Sequence, residues 1–510
     1  MKKKVFTMLL SMAVLATSLT GCGGGQKNES SDVGKEKTEV ASENVKENPE
    51  DMYTVTMAVI GNDQEDMDLV EAEMNKILAK EVGAQIDVVT LGWGVYQQQL
   101  QLMLSGAEKL DLVPIMYNNA STYVNSGQVL DMSELIDQYG VNMKAALGED
   151  ILKVANMNGY VFGVPVEKEW YADSCLVMRK DILDKYNLDV SNIDSLEECA
   201  PIFETIHENE PEMKIIVGSK DSLIGNIYFA DALSDRFGVL DNGGADTTIV
   251  NYYETENYKN LAATVHGFYE KGYIDKDMAT STDAGTTILK AGNAFCFVTP
   301  YKPGVAEQES LNTGYELVAV NINPTPAFCY TNAVAAITWG IGQNCENPEM
   351  TMKVLDYMYA DPELMNLFNW GIEGVHYVVK DAENDVIGFP EGVDPSNSKY
   401  NLNMGWELPN QYNIHVWEGS SRAIMDAQKE MNNTASKSKA LGFMFDSTSV
   451  SNEIAALNNV VSEYSASIDC GAADPETAIA EFNEKLYAAG LQTVMDEKQK
   501  QLNEWLESQK

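Results

Sequence analysis

The sequence predicts an α/β protein built on open, largely parallel sheets and finished by a mostly helical C-terminal region. Three observations carry this. Apolar strand-like runs alternate with helix-spaced stretches from Tyr53 to Tyr117. The alternation begins again at Ser174, after a hairpin. The last hundred residues read as helix after helix. Strands alternating with helices make an open sheet whose crossovers are right-handed.

The elements follow in order. YTVTMAVI (Tyr53 to Ile60) alternates as a strand, and the polar Gly61 to Asp66 can cap the helix after it. Leu69, Met74, Ile77 and Leu78 fall near helical spacing, which predicts a helix over roughly Glu65 to Val82. Ile86 to Val89 is a second strand, Tyr96 to Ser105 a helix stopped at Gly106, and Asp111 to Tyr117 a third strand. Ligands of such sheets collect beyond the carboxyl ends of the strands. The loops 62–66, 92–96 and 117–122 lie at those ends. Gly159 to Val166 reads as a hairpin running into a crossing segment. Beyond it, Ser174 to Arg179 is a strand, Lys180 to Tyr186 and Ser195 to Glu208 are helices, and Ile215 to Gly218 and Ala294 to Thr299 are strands. Thr331 to Gly342 is a further return. Asn347-Pro348, Asp361-Pro362 and Asp474-Pro475 each place a capping side chain before a proline at the first helical position. Ile479, Phe482 and Leu486 form one face of the last-but-one helix, which Gly490 closes, and a final helix runs over about Leu491 to Glu507. Asp381 to Asp385 and Asn242 to Asp246 read as turns, since neither has the ligand spacing of a calcium loop.

The N-terminal end has a different character. Lys2, Lys3 and Lys4 precede an apolar run to Thr20, then Gly21, Cys22 and three glycines. A basic start, a short apolar core and small residues at the cut site make a secretory leader, and the core is too short to span a bilayer. Residues 23 to about 50 are nearly devoid of large apolar side chains and read as a disordered tether. Its r.m.s. reach is about 30 Å for roughly 28 residues.

Charge narrows the function. The chain carries 35 Lys+Arg against 77 Asp+Glu, a formal net charge of -42. Such a surface repels phosphate backbones and anionic lipid, which argues against nucleic-acid binding. Its arginines are Arg179, Arg236 and Arg422, so a neutral ligand is the simpler expectation. The seven cysteines are far apart, without a C-x-x-C pair, and the four histidines are scattered. Neither pattern suits a metal site, and buried free thiols are expected. No G-x-S-x-G, H-E-x-x-H or phosphate-binding loop is present.

Several strings, taken with this order of parts, resemble a known family. Gly21-Cys22 resembles the lipobox of bacterial lipoproteins. Met103 to Gly106 with Asp111 to Val113, Tyr160 to Pro165, Arg179 to Tyr186 and Trp370 to Tyr377 resemble stretches of the family 1 extracellular solute-binding proteins of bacterial ABC importers. Leu441 to Asp446 and the tail to Trp505 resemble the DUF3502-type C-terminal domain of the LplA-like lipoproteins. The resemblance covers essentially the whole chain. It implies a two-lobe, type II periplasmic-binding-protein-like fold with an interlobe cleft and a helical C-terminal extension. The expected parts are a leader over 1–21, a tether over 22–52, a first lobe of 53–165 plus about 296–342, and a second lobe of 166–295 plus about 343–400. A mostly helical region over 401–510 would pack on the second lobe. The family implies lipidation of Cys22 with an acyl chain such as palmitate, a place on the outer face of the cytoplasmic membrane, and delivery of solute to ABC permease subunits. A monomer is expected, with no cofactor and no metal.

The ligand that this reading expects is a carbohydrate, in the first instance an oligosaccharide, captured without turnover. Aromatic faces stack on sugar C–H faces, while amides and carboxylates take paired hydroxyls. The aromatic candidates are Trp93 and Trp170, then Trp406, with Tyr117, Tyr301 and Trp370. The polar candidates beside them are Asp63, Glu65, Asn118, Glu167 and Glu373, and Glu167 directly follows the crossing segment. Trp505, at helical spacing, belongs to packing. Two other readings stand beside this one: a lipid-anchored glycosidase using two carboxylates, and a sensory or adhesion lipoprotein with the same cleft.

Overall fold

A computed structural model describes residues 52–106 and 108–510. The leader, Cys22 and nearly all of the tether lie outside the described residues. β1 (Tyr53–Ile60), α1 (Met67–Glu81), β2 (Ala84–Leu91), α2 (Tyr96–Ser105) and β3 (Leu112–Met116) follow the sequence periodicity closely. One segment differs. The sequence predicts a loop over 117–122, but Tyr117–Asn125 is a helix, α3, starting directly after Met116, the last residue of β3.

Two sheets organise the chain. In the first, the strand order is β2, β1, β3, Ile337–Ile341, Val164–Pro165. The first three are parallel, and the last two run antiparallel to their neighbours. The buried residues Val55, Met57 and Val59 of β1 pack with Val70, Met74 and Leu78 of α1, as a half-apolar helix requires. In the second sheet the order is Leu317–Asn321, Ser174–Arg179, Ala294–Pro300, Lys214–Ile216. Ser174–Arg179 is antiparallel to both of its neighbours, so the expectation of a largely parallel sheet is corrected here. Apolar runs report burial but not strand direction, which the long excursions between strands decide.

Strand pairing also moves the expected lobe boundaries. Ala294–Pro300 and Leu317–Asn321 belong to the second sheet, so of 296–342 only the last strand joins the first lobe. Helices Pro348–Met358 and Pro362–Trp370, assigned by sequence to the second lobe, bury Met352, Leu355, Met358, Leu364 and Phe368 against the first sheet. Asn347 and Asp361 cap them by accepting from Met350 N and Leu364 N, as the Asn-Pro and Asp-Pro pairs predict. The C-terminal region divides as well. Leu402, Leu408 and Ile414 join the first core. The helices Ser451–Asp469, Pro475–Ala488 and Leu491–Ser508 join the second, where Phe482 lies 4.6 Å from the ring of Tyr253.

Three passages connect the lobes and meet in a small sheet of two-residue strands. Phe328–Cys329 lies between Tyr171–Ala172 and Ser436–Lys437. Behind it Ser438 Oγ donates to Asp231 Oδ2 at 2.6 Å. Gly244, with φ +77°, packs so close that a Cβ there would stand 2.1 Å from Ser438 Oγ. Short ladders of this kind leave few hydrogen bonds to oppose bending, which suits a hinge. The six cysteines from Cys175 to Cys470 are free thiols, and all but Cys345 are buried. Among the described residues no helix is long and apolar enough to cross a membrane.

Candidate functional site

The carboxyl ends of β1 and β2 carry an aromatic shelf. Trp93 follows β2 and is 47% exposed. Its ring stacks on Trp406, with centroids 5.8 Å apart and planes 27° from parallel. Tyr96, the first residue of α2, meets Trp93 edge-on at 6.2 Å. Half-exposed stacked indoles offer a flat apolar face with polar edges, the form that suits a sugar ring. They come together because the segment 404–412 folds over the strand ends. Trp339 Nε1 donates to Glu407 O at 2.8 Å, and Ile60 N donates to Glu407 Oε1 at 2.7 Å.

From the shelf that segment runs to the first passage between lobes. Glu167 N donates to Pro409 O, and Gln411 N donates to Glu167 O. Beside them is a charged group from three parts of the chain. Lys302, after Ala294–Pro300, lies 3.3 Å from Glu169 Oε1, and Gln411 Nε2 donates to Glu169 Oε2 at 2.7 Å. Burial works to raise the Glu169 carboxyl, but Lys302 and Lys168, together with hydrogen bonds from its own backbone and from Gln411, hold it below its ordinary value. Burial likewise pulls the Lys168 ammonium down. Tyr171 Oη is buried here without a hydrogen-bond partner. Lys302 belongs to the second lobe and Gln411 to the segment packed on the first, so this group spans the lobes.

The expected residues separate into three sets. Trp93 and Trp406 meet, as described. Tyr117 stands at the end of β3, where burial raises its hydroxyl and Asp231, Asp235 and Tyr330 add to the effect. Asn118 and Asp63 are exposed beside these strand ends, and Glu65, also exposed, pairs with Lys399 at 3.0 Å. Tyr301 donates its backbone N–H to Asp173 O next to Lys302. Burial raises the Asp173 carboxyl to about 6, against two hydrogen bonds that lower it. Glu167 is at the crossing, as its sequence position implies, but it is buried and its Oε1 is 2.7 Å from Lys429 Nζ.

Trp170, Trp370 and Glu373 do not join them. Trp170 is 6% exposed, packs in the first core, and donates Nε1 to Val166 O at 2.9 Å. Its expected role as a ligand face is corrected by that burial. Trp370 packs 4.9 Å from Trp417 and donates to His415 O. Glu373 is exposed in the turn that follows the Trp370 helix. Sequence reasoning missed Glu407, Glu169, Lys168, Lys302 and Gln411. The one signal was adjacency: Glu407 follows Trp406, and Lys168 and Glu169 follow Glu167. A separate groove of about 1120 Å³ lies between the first lobe and the last helix, lined by Lys153, Lys437, Phe443, Glu504 and Trp505 among others. None of the expected site residues lines it, and it lies away from the strand ends.

Two lobes on separate sheets, joined by three short strands and carrying a polar, aromatic-floored candidate site at the strand ends, have the architecture of a hinged binding protein. The comparisons with known proteins agree. Residues 60–364 match the bacterial extracellular solute-binding protein family, and 439–507 match the domain of unknown function DUF3502. The chain belongs to the bacterial extracellular solute-binding proteins. It is 28% identical, over 100% of its length and 99% of the relative, to a carbohydrate ABC transporter substrate-binding protein of Streptococcus pneumoniae serotype 4. The crystal structure of the N-glycan transport solute binding protein NgtS from Streptococcus pneumoniae superposes with a TM-score of 0.79 at 27% identity, covering 90% of this chain and 100% of that one. Crystal structures of NgtS in complex with Man1GlcNAc and Man5GlcNAc superpose with TM-scores of 0.68 and 0.64 at 27% identity, covering 89% and 90% of this chain and 99% of each of theirs.

Proposed function

We propose that this chain is the capture component of an ABC importer for carbohydrate, taking an oligosaccharide between its lobes and passing it on unaltered. The stacked Trp93–Trp406 shelf at the strand ends is the observation that carries this reading. It supplies the apolar face, and Glu169, Gln411, Asn118 and Asp63 lie on neighbouring segments to meet hydroxyls. The NgtS complexes support the ligand class, since that relative binds Man1GlcNAc and Man5GlcNAc. Calorimetric titration with mannose- and N-acetylglucosamine-containing oligosaccharides is expected to show saturable binding. Chromatography of the incubated glycan is expected to return it intact. Cleavage products would favour the glycosidase reading, and no binding to any glycan would end the proposal.

The leader and Gly21-Cys22 support a lipid anchor on Cys22 at the outer face of the membrane. The Cys22→Ser chain is expected to leave the membrane fraction and appear in the medium. Retention of that variant on membranes would refute the anchor.

A further inference from the structure

Beneath the aromatic shelf lies one buried ionisable group that ligand contact does not account for. Glu407 follows Trp406 and is fully buried. Its Oε1 accepts from Ile60 N at 2.7 Å, its backbone O accepts from Trp339 Nε1 at 2.8 Å, and its N–H donates to Met404 O. Its Oε2 is buried without a hydrogen-bond partner. These bonds tie the 404–408 turn to two strands of the first sheet, β1 and Ile337–Ile341, which flank β3. Trp406 packs partly against the first core, and the seating of its own backbone at Glu407 sets where that ring stands against Trp93.

We propose that Glu407 is a positioning residue of the solute site, holding Trp406 against Trp93 through its links to Ile60 and Trp339. The proposal rests on the binding function given above. The environment dictates how Glu407 does this. Apart from Glu407 itself, residues 402–411 carry no ionisable side chain, nor does β1 beyond Tyr53, nor does Ile337–Ile341. Of the charged groups on the flanking segments, Glu65 pairs with Lys399, Asp66 with His376 and Glu167 with Lys429, while Asp63 is exposed to solvent. An unpaired buried carboxylate is costly, so the neutral acid is the form that fits. Burial raises Glu407 to about 8, with the Ile60 amide opposing. The folded value lies above the ordinary carboxylate range, so the seat is intact below about pH 8 and is lost as pH rises through it.

Two stacked indoles give an exciton couplet in far-ultraviolet circular dichroism, and subtracting the Trp406→Ala spectrum separates the shelf from the Trp370–Trp417 pair without any ligand. The wild-type couplet and the affinity for Man1GlcNAc are measured at pH 6.5 and pH 9. One pH unit past the titration leaves about a tenth of the sites seated, so affinity is expected to fall about tenfold and the couplet to fade. Glu407→Gln keeps an acceptor for Ile60 and stays neutral, so both readouts are expected to hold at pH 9. Glu407→Ala is expected to lose both at either pH. A wild-type couplet that ignores pH, or a Glu407→Gln variant that fades like wild type, overturns the proposal. Absence of sugar binding with a normally titrating couplet overturns the binding function while the clamp itself stands.

Discussion

Trp406→Ala is expected to weaken oligosaccharide binding by about 2–4 kcal/mol, roughly 30- to 1000-fold in Kd. The indole is half-buried in the turn above β1 and supplies one half of the stacked pair. Its removal takes away stacking area and frees Trp93, whose other neighbour is the edge of Tyr96. The loss should therefore exceed that of Trp93→Ala, where Trp406 stays seated. Trp170→Ala provides the contrast. That ring is in the first core with its N–H bonded to Val166 O. Truncation there should cost about 3–5 kcal/mol of folding stability, with affinity unchanged in the folded fraction. Calorimetry alongside urea unfolding separates the two. Unchanged Kd in Trp406→Ala would remove the shelf from the site.

Asp235→Ala is expected to lower unfolding free energy by about 3–5 kcal/mol. Lys498 lies on the last helix with no solvent exposure, and its ammonium donates to Asp235 Oδ1 at 2.6 Å and to Gly238 O at 3.0 Å. Asp235 is the carboxylate that keeps that buried charge tolerable, although burial still pulls the Lys498 ammonium below its ordinary value. Lys498→Met should cost far less. Asp235 is partly exposed and its Oδ1 also accepts from Phe237 N, so it keeps both water and a donor. The methionine chain meanwhile fills most of the same volume. The pair joins the DUF3502 match to the loop after Asp231, so hydrogen exchange should rise first along Leu491–Ser508 in Asp235→Ala. Equal losses in the two variants would contradict this asymmetry.

Local features were legible where one segment carries its own reason. Helix starts at Asn347-Pro348, Asp361-Pro362 and Asp474-Pro475 needed only a capping side chain and a proline, and all three caps form. The exposed Trp93 could be suspected from its two flanking glycines, Gly92 and Gly94. Trp170 and Trp370 could not be told from it, because a tryptophan in a polar stretch looks the same whether its ring faces solvent or core. The strand Leu317–Asn321 was missed, being a five-residue run whose partner Ser174–Arg179 lies far back in the chain. The lobe boundaries failed for the same reason. A strand's apolar pattern states that it is buried, not beside which sheet.

The order of elements, the acid surface, the helix caps and the resemblance to solute-binding proteins were therefore determined by the sequence alone, since each rests on neighbours within a few residues or on composition. Tertiary structure alone decided which indoles meet, that Glu407 sits unpaired beneath them, and that Glu169, Lys302 and Gln411 converge. Those groups lie between 100 and 350 residues apart or depend on burial from every side, and no local pattern encodes either. Closeness across such separations is set by how the sheets pair and pack, which is a property of the whole chain.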